Sequence, residues 1–121
     1  VTTAQTKRPI SITILAWLYI AVGVIGTAAH YLDFRTHKPL LNEIVWITAL
    51  GAAAIVAGAF MLHGRNWARW LALAWMGFHV AISVLHPLRE LIIHSVLFVL
   101  FAYLLLRREA KEYFAVRGTA F

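Results

Sequence analysis

Two histidines flank a proline almost symmetrically: His79 lies eight residues before Pro87 and His94 seven after it. Pro87 favours a break between two helices. At a rise of about 1.5 Å per residue, both imidazoles then lie ~10–12 Å from the turn and can face each other. Paired imidazoles from adjacent helices could supply both axial ligands of a b-type haem, or bind Zn or Cu. His30, Glu43, His86 and Glu90 belong to the same end of the chain's fold and are the further candidate metal ligands. Glu90 lies one turn from His94 and is expected to orient that ring from outside the ligand shell. His79, Ser83 and His86 fall at i, i+4 and i+7, which draws one polar stripe along a helix.

Two other readings of these residues stand beside ligation. A chain of imidazoles and carboxylates could pass protons or a cationic substrate, since ionisable groups inside a membrane are costly and often functional. Histidine is also the ionisable side chain most easily kept neutral, so each ring could simply donate to Ser83, Ser95, Tyr31 or a backbone carbonyl and serve packing. Of six histidines, His37 falls in a loop near the same end and only His63 falls at the opposite one.

The elements that must position these groups are four apolar stretches, residues 10–31, 40–62, 67–85 and 88–106, in a chain of 121 residues. A helix needs ~20 largely apolar residues to cross ~30 Å of hydrocarbon, and each stretch is close to that length. With 62% hydrophobic residues and a mean hydropathy of +0.77 the chain has too few polar residues to cover a soluble core, so lipid must do so. The expected fold is all-α: a polytopic membrane protein forming one domain, an up-down-up-down bundle of four transmembrane helices with a tail at 107–121. No cysteine is present, which removes disulfides, thiolate metal sites and thiol redox chemistry. The net charge of +6 is explained by basic residues flanking spans, and no nucleic-acid partner is expected.

Alternate connections divide those basic residues unequally. Lys7, Arg8, Arg65, Arg69, Arg107, Arg108, Lys111 and Arg117 collect on one side, against Arg35, Lys38 and Arg89 on the other. Both termini are therefore expected in the cytoplasm of a cell whose inner membrane holds the chain, with the histidine-rich end outside. The first apolar run exceeds twenty residues, too long for a signal peptide's core of ~7–15, and reads as a retained helix. Gly51, Ala54 and Gly58, with Gly23 and Gly26 on the first span, suit close helix packing within one chain, with self-association as the alternative. Trp67, Trp70 and Trp46 mark membrane edges, whereas Trp17 and Trp75 are expected to pack inside. The charged segment from Arg107 to Phe114 is expected to continue the fourth helix outward, with Glu109 and Glu112 as solvated partners of nearby cations.

Three motifs carry a resemblance. The Arg8-Pro9 start before Ile10-Ser11-Ile12-Thr13, the segment Gly64-Arg65-Asn66-Trp67-Ala68-Arg69-Trp70, and the end Tyr103-Leu104-Leu105-Leu106-Arg107-Arg108-Glu109-Ala110-Lys111-Glu112-Tyr113-Phe114 resemble a group of small uncharacterised prokaryotic four-helix membrane proteins. The resemblance implies architecture over nearly the whole chain and brings no activity or cofactor with it. The histidine-rich end departs from the aliphatic residues that such proteins typically carry there. Small four-helix multidrug transporters resemble one another in a carboxylate midway along the first helix, and residues 10–31 contain none. With no phosphate loop and no nucleophile beside a base, the expected function is non-enzymatic. It is a structural or accessory subunit of a membrane complex, working beside other subunits or by self-association in the lipid bilayer. The alternative is a haem- or metal-binding electron-transfer protein.

Overall fold

The computed structural model of the protein describes residues 7–118. Five α-helices follow in order: α1 (Ile10–Asp33), α2 (Leu41–Leu62), α3 (Asn66–Ser83), α4 (Leu88–Leu106) and α5 (Arg108–Gly118). Three of them, α1, α2 and α4, are long and apolar enough to cross a membrane. Their outward positions include Ile14, Val24, Ile25, Val96 and Val99, all exposed, a surface suited to lipid rather than water. The chain is thus marked as a membrane protein with transmembrane helices. The more polar α3 begins with Asn66 and carries Arg69 and His79. It ends at Ser83, two residues short of the expected boundary, and the chain passes through a turn to Pro87, which stands at the N-cap of α4.

α1 and α2 pack most closely, and the small residues are the reason. A methyl group built on Gly23 would lie 2.7 Å from the Gly51 carbonyl oxygen, and one on Gly58 would strike the Ala16 carbonyl. Backbones this close exclude any side chain between them, the arrangement that glycine and alanine strips permit in lipid. Ala54 and Ala57 are fully buried on the same face. The turn into α3 depends on Gly64 at φ 74°, a left-handed residue after the last turn of α2. There the Arg65 amide donates to Phe60 O (3.0 Å) and the Gly64 amide to Met61 O (3.1 Å), a Schellman closure.

The expected outward extension of the fourth helix does not form. Arg107 adopts an extended backbone (φ −66°, ψ 162°), which ends α4 and turns α5 back beneath the other helices. Hydrophobic burial drives the turn: Ala110, Tyr113 and Phe114 join the core while Arg108, Glu109, Lys111 and Glu112 face outward. The Tyr113 hydroxyl lies 3.1 Å from both Met61 O and Leu62 O, carbonyls at the end of α2 that have no amide of a following helical turn to accept. Arg8 Nη1 donates to Leu62 O (2.8 Å), Arg69 Nη1 to Leu105 O (3.2 Å), and Arg107 Nη2 to Ser11 Oγ (2.7 Å). These bonds close the α5 end. Glu109 and Glu112 pair with Arg107 (3.3 Å) and Arg108 (2.9 Å), as solvated partners should. Residues 119–121 of the expected tail lie outside the described residues.

One tryptophan is also placed differently from expectation. Trp17 is 57% exposed on the outer face of α1, because the inward positions of that helix are taken by Ile12, Leu15, Ala16 and Tyr19. Trp75 does pack inside, donating its indole N–H to Leu50 O (2.9 Å).

Candidate functional site

The helices do not fill the space they enclose. At the Pro87 end a partly open cavity of about 520 Å³ is lined from α1, α2, α3 and α4, within the size range of small-molecule sites. Its origin lies in the packing just described. α1 and α4 meet through Tyr19 and Phe101 (ring centroids 5.9 Å apart) and through Ser11 and Arg107, nearer the α5 end. Beyond Tyr19 the α1 wall of the cavity includes Gly23 and Thr27, which pack on Gly51 of α2, and Gly26, which leaves open space beside it. A methyl group on Gly26 would meet no atom within 4 Å.

The floor and wall are aromatic. The Tyr19 hydroxyl donates to Ala72 O (2.7 Å), so its polar tip is spent within the protein, and its ring lies edge-on to Trp75 with centroids 5.4 Å apart. Trp75 in turn lies against His79, with ring centroids 3.9 Å apart. The i, i+4 spacing of Trp75 and His79 puts them on one face of α3.

His79 and His94 come together as the count from Pro87 predicts, with ring centroids 6.1 Å apart and planes inclined by 30°. Their hydrogen bonds fix the tautomer of each neutral ring. His79 Nδ1 lies 2.8 Å from Trp75 O, and His94 Nδ1 lies 2.8 Å from Glu90 O. A carbonyl oxygen can only accept, so both Nδ1 atoms carry a proton, and in the neutral form of each ring Nε2 carries the lone pair. Ser83 adds a link between the helices. Its hydroxyl donates to His79 O (2.6 Å) and accepts from His94 Nδ1 (2.8 Å).

Of the other expected ligands, His30 shares the cavity with this pair, whereas Glu43, His86 and Glu90 are not part of its wall. The Glu90 backbone carbonyl, not its carboxylate, orients His94; the carboxylate lies 3.4 Å from Arg89. The Glu43 carboxylate accepts the Leu40 amide (3.3 Å) at the start of α2. His86 sits exposed in the turn after α3, so the polar stripe stops at Ser83. His30 lines the cavity as an exposed residue. Among the described residues no three His, Cys, Asp or Glu side chains gather as a metal-binding group. A haem between His79 and His94 does not fit either, since the macrocycle would have to lie between α3 and α4. Ser83 joins these helices directly, and a methyl group on Gly77 would already touch Phe98 (3.6 Å).

Tyr19, Gly26 and Leu97 belong to the cavity without any signal in the sequence that marked them for it. Comparison with protein-family models, curated proteins and solved structures found no match.

Proposed function

We propose that the chain is a non-enzymatic protein of a bacterial or archaeal inner membrane that holds a small apolar guest inside the membrane, as an accessory subunit of a larger complex or of its own oligomer. In this reading α1 to α4 all cross, as an up-down-up-down bundle. The 18 residues of α3 extend ~27 Å at about 1.5 Å per residue, near the hydrocarbon thickness. Lys7, Arg8, Arg65, Arg69, Arg107, Arg108 and Lys111 lie toward the α5 end, against Arg35, Lys38 and Arg89 toward the Pro87 end. On this charge asymmetry the reading has the α5 end of the bundle facing the cytoplasm.

The observation that carries the reading is the cavity itself. Ordinary interiors are close-packed, and one that is left open, apolar and furnished with a few convergent polar groups is the usual form of a ligand site. Native mass spectrometry of protein extracted gently from its own membrane tests it. A bound small molecule is expected on the wild-type chain and is expected to be lost from Gly26→Leu, whose new side chain enters the cavity without meeting another atom at Cβ. An unliganded wild-type chain, or an adduct indifferent to Gly26→Leu, contradicts the reading.

A further inference from the structure

Four ring donors at the cavity wall are spent on protein acceptors, which leaves Thr27 and the exposed His30 as side-chain donors there. Tyr19 and Trp75, the two aromatic donors facing it, have spent their protons on the carbonyls of Ala72 and Leu50. His79 and His94 have spent Nδ1–H on Trp75 O and on Glu90 O with Ser83 Oγ. In its neutral form each ring is left with an unprotonated Nε2, for which the described residues show no hydrogen-bond partner. The other polar side chains at the wall are Thr27 and the exposed His30. The surrounding surface is supplied by residues such as Val22, Leu50, Leu97 and Phe101.

We infer that the site selects an apolar molecule whose polar end is a hydroxyl, bound by donation to Nε2 of His79 or His94. This rests on the cavity being a binding site and specifies what it recognises. Ketones, esters and ethers of the same shape bring only acceptors, which would face the imidazole lone pairs and leave them unsatisfied. An alcohol or phenol dissolved in the membrane supplies the missing proton and buries its hydrocarbon against the cavity wall. The paired carbonyls favour this tautomer, because tautomerisation of either ring would give up the Nδ1–H bond to Trp75 O or Glu90 O.

Farnesol and its methyl ether, which differ at the polar end alone, form the test. Each is titrated into the full-length protein in nanodiscs, with bound mass read by native mass spectrometry for wild type, Gly26→Leu, and His79→Phe with His94→Phe. Farnesol is expected to bind wild type at least tenfold more tightly than the ether, a difference on the scale of one buried hydrogen bond. The double histidine variant is expected to retain the ether and lose the preference, and Gly26→Leu to lose both probes. Equal binding of the two by wild type overturns the hydroxyl selection while leaving the cavity as a general apolar site. Failure of both to bind overturns the cavity reading together with the selection. Binding of Zn²⁺ or Cu⁺ to wild type that is lost with the two histidines and displaces farnesol would replace the hydroxyl by a metal and overturn the inference.

Discussion

Ser83 Oγ lies 2.8 Å from His94 Nδ1, and through this contact α3 binds the imidazole of α4, whose tautomer the Glu90 carbonyl fixes. The same hydroxyl donates to the His79 carbonyl (2.6 Å), so one buried side chain ties together the neighbourhoods of both rings. Ser83→Ala removes this interhelical link while His94 keeps its bond to Glu90 O. A loss of about 1 kcal/mol is expected, the scale of a single polar link between membrane helices, measured by thermal or denaturant unfolding in detergent. Wild-type stability in Ser83→Ala would show that the link carries no weight.

Two glycines on the facing helices should respond oppositely to the same substitution. Gly58→Ala drives a methyl into the Ala16 carbonyl and toward Ile20, and is expected to cost about 1–3 kcal/mol as α1 and α2 separate. Gly26→Ala meets open space and is expected to be neutral or to stabilise by about 0.5–1 kcal/mol, the usual gain of alanine over glycine within a helix. Melting temperatures of the two variants, measured side by side, would refute the α1–α2 packing if they moved in the same direction.

The docking of α5 depends on Tyr113. Tyr113→Phe removes the hydroxyl shared by Met61 O and Leu62 O, while Met61 O keeps the Gly64 amide and Leu62 O keeps Arg8. An expected cost of about 1 kcal/mol falls on the docked helix in particular. Trypsin added to membranes with their cytoplasmic face outward should cut after Arg108 and Lys111 faster in the variant. Equal cutting rates would mean that burial of Ala110, Tyr113 and Phe114 suffices alone.

These tests bear on features that were unequally legible in the sequence. Pro87 and the residue count around it foretold the approach of His79 and His94, because helix rise is nearly constant and the turn is short. The glycine and alanine strip of α2 foretold its close packing on α1 for a similarly local reason. Sequence periodicity does not tell which way a helix will leave after a polar break. The single extended residue Arg107, which turns α5 back under the others, therefore had no visible signal. Trp17 was misplaced because an apolar side chain in lipid is equally at home on either face. Glu43, His86 and Glu90 do not line the cavity with the histidine pair, because each sits at a helix start or in a turn nearer the end of the helices. The cavity was least legible of all, since its wall is assembled from residues of four different helices.

The absence of native cysteine makes orientation directly measurable. Single cysteines at Thr36 and at Ala115, in otherwise unchanged protein, should react differently with a membrane-impermeant maleimide on intact cells. Thr36→Cys is expected to be labelled and Ala115→Cys only after the membrane is breached. Labelling of both from outside would contradict an even number of crossings with α5 inside.

The central claim, that the space beneath His79 and His94 is a binding site, is tested most directly by photocrosslinking with a long-chain alcohol that carries a diazirine, followed by peptide mass spectrometry. Adducts concentrated on Val22, Leu97 and Phe101, and abolished by Gly26→Leu, are the predicted result. Adducts spread over the outward residues Ile14, Val96 and Val99, with none at the cavity wall, would contradict it.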